Sequence, residues 1–260
     1  MTDYEIETNV FTTRFVQHRI TSGYISIYEG AVQLPAFWAH PEIGGFFPGL
    51  VLIHGEKGLN SQIRMRVRRY AELGYYVIAP ELLTRAECEQ PIADIRTKLR
   101  EQGLPRILAA IEALRTHNRF NGHMGLVGWL TGGELTLNMA LTHKDVRAAV
   151  VFGGDPRPML SELSHSDTPL LAFYGDDDPE VLPHVLNQMW ESLSQSSVQW
   201  QIVVYPGVTN EFKDETSPKY HAHYAADAWY RAAEFLHAHL DPPSVATAKG
   251  AHGKRESHTN

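Results

Sequence analysis

The most suggestive chemical motif is a glycine-flanked turn in the middle of the chain, Gly128-Trp129-Leu130-Thr131-Gly132. Its G-x-nucleophile-x-G spacing is typical of a nucleophile elbow, a sharp strand-to-helix turn that exposes a serine or cysteine. Here the nucleophile position holds Leu130, which has no nucleophilic atom. The motif therefore predicts either an elbow that has lost its reactive residue or a plain turn whose glycines serve packing alone.

Two further loops follow predicted strands and carry polar side chains. Asp178 lies where the acid of a catalytic triad would stand, and it could also cap a helix that begins at Pro179. Asn210 follows the last strand, where hydrolases of this architecture carry the catalytic histidine. Asparagine can orient groups by hydrogen bonds, but it cannot shuttle a proton near neutral pH.

A fourth loop, His54-Gly55-Glu56-Lys57-Gly58, leaves the first buried strand. Turns of the H-G-x-x-G type often offer a backbone N–H to an oxyanion. We expect His54 to be a structural residue at the strand end rather than a base. Trp129 and Leu130 would form an apolar wall beside the polar groups of this loop.

The remaining metal-binding residue types show no ligand pattern. The pairs His221/His223 and His237/His239 are spaced i, i+2, which directs them to different sides of a helix. Cys88 is the single cysteine, so neither an intrachain disulfide nor a cysteine-based zinc site is possible. We predict no metal and no cofactor.

The elements that must position these loops alternate between strand and helix. Strands are predicted at 24–28, 32–38, 49–54, 75–79, 124–127, 148–152, 170–174 and 199–205. Helices are predicted at 61–73, 104–116, 134–141, 180–193 and 221–240. Alternation from residue 49 onward indicates a mostly parallel sheet covered on both faces, with functional groups in the loops at the carboxyl ends of the strands.

Composition places the chain among ordinary globular proteins. Its 260 residues include 30 acidic and 23 basic residues, a formal net charge of −7, with 43% hydrophobic residues. The acidic balance argues against a nucleic-acid partner, and no apolar run approaches the roughly 20 residues that span a bilayer. We expect a cytoplasmic protein with an N-terminal arm (1–22), one domain (23–240) and a disordered tail (241–260). The oligomeric state is left open.

Several segments resemble the dienelactone hydrolase family, also called carboxymethylenebutenolidase-like, of the α/β-hydrolase fold. The resemblance covers about residues 23–240. It is carried by LPAFWAHPE (34–42), GLVLIHGEKGLN (49–60), RYAELGYYVIAPELLTR (69–85), MGLVGWLTGGE (124–134), LLAFYGDDDP (170–179) and YPGVTNEFKDETSPKY (205–220). It implies a mostly parallel, twisted sheet of about eight strands with helices on both faces.

The resemblance also implies a degenerate catalytic triad. The family's nucleophile falls on Leu130 and its histidine base on Asn210, whereas its acid falls on Asp178 and is kept. The glutamate that helps to activate the nucleophile falls on Gly55, with Glu56 one place later. Ordinary hydrolysis through an acyl-enzyme is therefore not expected.

The same resemblance assigns the basic groups that contact a substrate carboxylate. One of them is matched by Arg85, whereas a second has no clear match, with Lys213 close and Asp214 beside it. Thr131 could be a shifted nucleophile, but its backbone N–H would then be lost to its usual oxyanion role, and the sequence shows no base for it.

Three functions fit these residues. The favoured one is a pseudo-hydrolase that binds a small molecule. The second is an enzyme that uses Asp178, Asn210, Glu56 and His54 for non-covalent acid–base chemistry such as cyclisation, isomerisation or elimination. The third is a hydrolase in which a carboxylate such as Glu56 activates water directly.

Overall fold

The computed structural model describes residues 17–240, which share one eight-stranded sheet. The strands are β1 (Ile20–Glu29), β2 (Val32–Pro41), β3 (Phe47–Ile53), β4 (Tyr76–Pro80), β5 (Phe120–Trp129), β6 (Val146–Phe152), β7 (Leu170–Gly175) and β8 (Trp200–Tyr205). Their order across the sheet is β1-β2-β4-β3-β5-β6-β7-β8. β1 and β2 pair antiparallel, β2 pairs antiparallel with β4, and all later pairings are parallel. The predicted fold class is confirmed.

Six α-helices connect or follow these strands within the described residues. They are α1 (Ser61–Glu72), α2 (Arg85–Cys88), α3 (Ile92–Arg115), α4 (Thr131–Thr142), α5 (Pro183–Leu193) and α6 (Ala222–Leu240). Two short 3₁₀ turns, Arg157–Met159 and Leu163–His165, lie between β6 and β7. No helix of residues 17–240 combines the length and the apolar character needed to cross a membrane.

The central strands are buried on both faces, and alternate side chains serve opposite layers. On β3, Leu50 and Leu52 pack in the layer with α1 and α6, whereas Val51 and Ile53 pack against α3 and α4. This alternation follows from the period of two along a strand. Since helices cover both faces, the residues between the strands and helices at the carboxyl edge of the sheet remain available to line a site.

Three local features differ from the sequence-based expectation. Helix α3 begins at Ile92, twelve residues before the predicted start at Leu104, and continues through Pro105. Helix α2 was not predicted, although Thr84 and Glu87 form a reciprocal capping box at its start. β1 begins at Ile20, within the predicted N-terminal arm. Residues 1–16 of that arm and the tail 241–260 lie outside the described residues.

Candidate functional site

Leu130 occupies a strained turn between β5 and α4. Its φ of 53° and ψ of −123° make it the single non-glycine residue with positive φ among residues 17–240. Its N–H donates to the carbonyl of Phe152 at 3.0 Å, and its own carbonyl accepts from Gly133 at 2.8 Å. Such backbone strain costs on the order of 1–3 kcal/mol for a residue with a Cβ. The chain therefore keeps the strained geometry of an elbow although the residue there is a leucine.

The flanking glycines are required by the close approach of three backbone segments. A Cβ on Gly128 would lie 2.1 Å from the Thr136 hydroxyl oxygen. A Cβ on Gly132 would lie 2.3 Å from the carbonyl oxygen of Ile53 and 2.4 Å from that of His54. No side chain fits at these distances, so the glycine spacing detected in the sequence reflects a real packing constraint.

A small cavity of about 70 Å³ opens beside the elbow. Its walls come from the loop after β3, from α1, from the elbow and from the loop after β8. The side chains that matter below are those of Glu56, Gln62, Arg66, Trp129, Leu130, Asn210 and Lys213. The structure thus brings Leu130 and Asn210 to one cavity, whereas Asp178 and Thr131 are not among its lining residues.

Asp178 and Asn210 are held by backbone hydrogen bonds. Asp178 Oδ1 accepts from the N–H groups of Glu180 (3.0 Å) and Val181 (3.1 Å), and Oδ2 accepts from the N–H of Asn210 (2.9 Å). Asn210 Oδ1 accepts in turn from the N–H of Gly175 at 3.0 Å. The carboxylate therefore joins the loop after β7 to the loop after β8, a structural task that needs no histidine.

The alternative reading of Asp178 as a helix cap is wrong. Helix α5 begins at Pro183 with Leu182 at the N-cap, four residues beyond Asp178. Asp178 instead closes a turn on residues two and three positions ahead, a side-chain-to-backbone pattern that aspartate favours. The sequence signal of aspartate followed by proline was real, but it marked a turn rather than a helix start.

Glu56 has one oxygen with two donors and one oxygen with none. Oε1 accepts from Arg96 Nε at 2.7 Å and from the Thr131 hydroxyl at 2.7 Å. Oε2 is buried and has no hydrogen-bond partner among residues 17–240, and the side chain is only 8% exposed. Gln62 Oε1 is likewise buried without a partner in the described chain. Because unpaired buried acceptors are costly, these two oxygens favour a ligand that brings hydrogen-bond donors.

The sequence showed no base for Thr131, but the structure places a carboxylate beside its hydroxyl. Glu56 Oε1 accepts the Thr131 hydroxyl hydrogen, so a carboxylate stands where a base for that hydroxyl would stand. The same oxygen also accepts from Arg96, whose Nη1 donates to Glu180 Oε1 at 2.7 Å. Thr131 is buried and points to this ion-pair network. The contact is explained as a hydrogen bond that fixes the Glu56 side chain at the start of α4.

His54 has a backbone-anchoring role, and Gly55 is needed for packing. His54 Nε2 lies 2.8 Å from the backbone nitrogen of Leu82 and 2.8 Å from Glu81 Oε1, while Nδ1 lies 2.8 Å from the carbonyl oxygen of Gly55. Burial raises the pKa of Glu81, but hydrogen bonds from His54 and two backbone N–H groups outweigh it and lower that pKa overall. A Cβ on Gly55 would lie 2.8 Å from the Trp129 carbonyl, so this backbone excludes a glutamate there.

Lys213 was only noted as a neighbour in the sequence, but it is a buried member of the cavity wall. Its Nζ donates to the carbonyls of Asn210 (2.8 Å) and Phe152 (3.0 Å). Burial, together with the positive charge of Arg66, lowers the pKa of Lys213 to about 7. The structure therefore places an ammonium group that readily loses its proton beside the elbow.

Arg85 does not reach the cavity, contrary to the expectation that it contacts a substrate carboxylate. Its side chain is 97% exposed and lies 3.8 Å from Glu89, one turn further along α2. The arginine that does line the cavity is Arg66, which donates to the carbonyl of Lys213 at 3.0 Å and lies 5.0 Å from the ring centroid of Trp129. Arg66 was not predicted as a site residue, although Gln62 and Arg66 stand i, i+4 on one face of α1.

An ion pair between two loops forms part of the cavity wall. Lys57 Nζ lies 2.6 Å from Asp214 Oδ2. Burial raises the pKa of Asp214, but hydrogen bonds from Lys57 and Thr216 outweigh this effect and lower that pKa to about 2.

Among residues 17–240, no group of three or more histidine, cysteine or acidic residues is arranged to hold a metal ion.

The sequence model of the "Dienelactone hydrolase family" matches residues 34–240. A protein of Escherichia coli (strain K12) named "Putative carboxymethylenebutenolidase" is 28% identical over 237 residues, which cover 84% of this chain and 87% of the relative. A Methylorubrum extorquens protein of the same name is 26% identical and covers 78% of this chain and 76% of its own length.

Solved structures show the same fold. Dienelactone hydrolase from Anabaena variabilis superposes with a TM-score of 0.67 at 24% identity, covering 86% of this chain and all of that one. Pyrococcus horikoshii acylaminoacyl peptidase superposes with a TM-score of 0.68 at 16% identity, covering 94% of this chain and 45% of that one. At these identities the solved structures show the fold alone, whereas the match to the family's sequence model extends over most of the chain. This chain belongs to the dienelactone hydrolase family.

Proposed function

We propose that this protein is a pseudo-hydrolase of the dienelactone hydrolase family, which binds a small molecule and forms no acyl-enzyme. One observation carries the proposal: the elbow geometry is kept, but the side chain at φ 53° is that of Leu130. Loss of triad members costs other hydrolases on the order of 10⁴- to 10⁶-fold in rate. The relatives are named as hydrolases, and this chain is proposed to differ from that activity.

The cavity lining supports binding of a small, partly apolar ligand with hydrogen-bond donors. Trp129 and Leu130 supply apolar surface, and Glu56 Oε2 and Gln62 Oε1 supply acceptors without a partner in the described chain. A donor group that reached either oxygen would remove the cost of leaving it unpaired. A cytoplasmic location and the absence of a nucleic-acid partner stay predictions from the sequence.

A second function, water activation or proton transfer by Glu56, is favoured by the free Oε2. This oxygen belongs to a buried carboxylate that lines the cavity and is fixed by Arg96 and Thr131. A positioned carboxylate can act as a general base toward a water or a substrate C–H group without a covalent intermediate. The two functions share the cavity and differ in whether turnover occurs.

Hydrolysis assays with activated aryl esters and dienelactone separate these functions. The wild-type protein is expected to show no turnover above the buffer background. Glu56→Gln is compared with Glu180→Gln, which removes a charge from the same Arg96 network at a side chain that is 56% exposed. Turnover that Glu56→Gln abolishes and Glu180→Gln preserves would replace the pseudo-hydrolase proposal by the carboxylate-assisted one. Turnover that survives both variants would refute both functions.

A further inference from the structure

Lys213 is a buried titratable group of the cavity wall that the proposed function does not use. It lies in the wall between two cavities, the one beside the elbow and a second of about 100 Å³ that is lined in part by Phe152 and Trp229. A structural lysine is normally exposed or paired with a carboxylate. None of the ion pairs within residues 17–240 includes Lys213.

The hydrogen bonds of Lys213 leave one position on its nitrogen available. A neutral amine has two N–H bonds and one lone pair, and the carbonyls of Phe152 and Asn210 accept the two N–H bonds. The third position carries either a proton or the lone pair. Because Phe152 also accepts the N–H of Leu130, the nitrogen is anchored to the same carbonyl as the elbow.

The charges around Lys213 compete, and burial prevails. Burial and the nearby Arg66 favour the neutral amine, whereas Asp178, Asp214 and Glu56 favour the ammonium form. The resulting pKa of about 7 leaves about half of the lysine neutral at neutral pH, against less than about one part in 10³ for an ordinary lysine. Amines of this kind serve as nucleophiles toward carbonyl carbons.

We propose that Lys213 is a nucleophilic amine that captures the carbonyl carbon of an aldehyde or ketone ligand in this cavity as an imine. The inference rests on the proposed function in using the same cavity, but it needs neither Leu130 nor Asn210 as a reactive group. It extends the proposed function by assigning the chemical class of the ligand.

The chemistry balances without a further reactant. The nitrogen lone pair forms a C–N bond to the carbonyl carbon, and the C=O π electrons move to oxygen, which takes up the proton lost by the nitrogen. The carbinolamine then loses this hydroxyl together with the second nitrogen proton as water, and the nitrogen lone pair forms the C=N bond. The exchange of the two N–H bonds for an imine also breaks the bonds to the carbonyls of Phe152 and Asn210, so the loop after β8 must adjust.

Reductive trapping tests this inference on the intact protein. The protein is incubated with benzaldehyde and sodium cyanoborohydride, and the N-benzyl adducts are mapped by peptide mass spectrometry. Adducts at Lys213 are expected to form at least about tenfold faster at pH 7 than at the exposed Lys57 and Lys219, because the lowered pKa of Lys213 leaves a large neutral fraction of this amine. The rate at Lys213 should level off above a pH of about 7.

Variants distinguish nucleophilic capture from mere proximity. Lys213→Arg keeps the positive charge and the donors to both carbonyls but removes the nucleophile, so benzylation in the cavity is expected to disappear. Lys219→Arg is the matched control and should leave labelling of Lys213 unchanged. Mapping on the wild-type protein stands even if Lys213→Arg folds poorly.

Each outcome decides the inference. Adducts confined to exposed lysines or to the N-terminus, or a Lys213 rate no higher than that of Lys57, would overturn it. Its failure is separate from that of the proposed function, since ester turnover would refute the pseudo-hydrolase without touching Lys213. Conversely, if neither reductive trapping at Lys213 nor ester turnover is observed, the imine proposal fails and the binding function stands.

Discussion

Two groups of polar side chains around the elbow differ in how their polar atoms are used. In the triad group, both oxygens of Asp178 and the Oδ1 of Asn210 accept backbone N–H groups. In the cavity group, Glu56 Oε2 and Gln62 Oε1 have no partner within residues 17–240, and the buried Lys213 has no carboxylate partner in an ion pair there. The triad group therefore stabilises loops, whereas the proposed ligand chemistry rests on Glu56 and Lys213.

The contrast indicates that the strained elbow of this chain does not depend on a nucleophile. The flanking glycines fix the turn against neighbouring backbone, with a leucine at its centre. The close backbone packing that excludes a side chain at Gly55 likewise moves the carboxylate of this loop to Glu56, beside the start of α4. Chemistry in this chain should be sought one residue or one loop away from the family positions.

The largest expected effect concerns Asp178. Asp178→Ala removes the acceptor of three backbone N–H groups and should lower the free energy of unfolding by about 3 kcal/mol or more. Asp177→Ala, at an exposed neighbour, should change it by no more than about 0.5 kcal/mol. Urea denaturation measures both. Equal, small changes in the free energy of unfolding would mean that the triad group does not have the structural role assigned to it.

The next effect concerns the pH dependence of stability at Lys213. Its folded pKa of about 7 lies below the ordinary 10.5, so between these values the unfolded state binds more protons. The stability of the wild-type protein relative to Lys213→Met should therefore rise with pH in this window, by at most about 1.4 kcal/mol per pH unit. The penalty is greatest below pH 7 and disappears above 10.5.

Chemical denaturation of both proteins at pH 6, 8 and 9.5 measures this slope. Lys219→Met, at an exposed site, is the control. The Lys219→Met protein should track the wild type across the series. A difference in the free energy of unfolding between wild type and Lys213→Met that stays constant with pH would show that the buried lysine stays charged. The contrast between the triad group and the cavity group would then no longer hold for Lys213.

The smallest effect concerns the two arginines. Arg85→Ala should alter stability by less than about 0.5 kcal/mol, because its side chain is almost fully exposed. Arg66→Ala should cost about 1–2 kcal/mol, since Arg66 packs over Trp129 and donates to the carbonyl of Lys213. Thermal unfolding distinguishes them. A larger loss for Arg85→Ala would show that its side chain makes stabilising contacts despite its exposure.

Sequence patterns predicted the sheet and the elbow because both depend on local features. Apolar runs such as 49–54 mark strands covered on both faces, and the spacing of Gly128 and Gly132 marks the tight turn. Arg85 faces solvent for a local reason that the prediction missed, since the capping box of Thr84 and Glu87 starts a separate short helix there. Elsewhere the patterns failed where long-range contacts decided the outcome.

The polar network around Glu56 could not be predicted for the same reason. Thr131, Arg96 and Glu56 come from three distant segments, and their meeting depends on how α3 and α4 pack beside the loop after β3. The predicted helix at 104–116 covers only the second half of α3, which begins at Ile92 and continues through Pro105. Residue types alone identified Glu56 as a candidate, but only the fold shows which of its oxygens is free.

The most direct test of the central claim, that the elbow performs no covalent step, is intact-protein mass spectrometry after exposure to a fluorophosphonate. The wild-type protein is expected to remain unmodified. The L130S/N210H variant, which restores a hydroxyl and an imidazole to the same cavity, should take up one phosphonyl group on the introduced serine and thereby validates the reagent. A wild-type adduct mapped to Thr131, whose hydroxyl already donates to Glu56, would contradict the account.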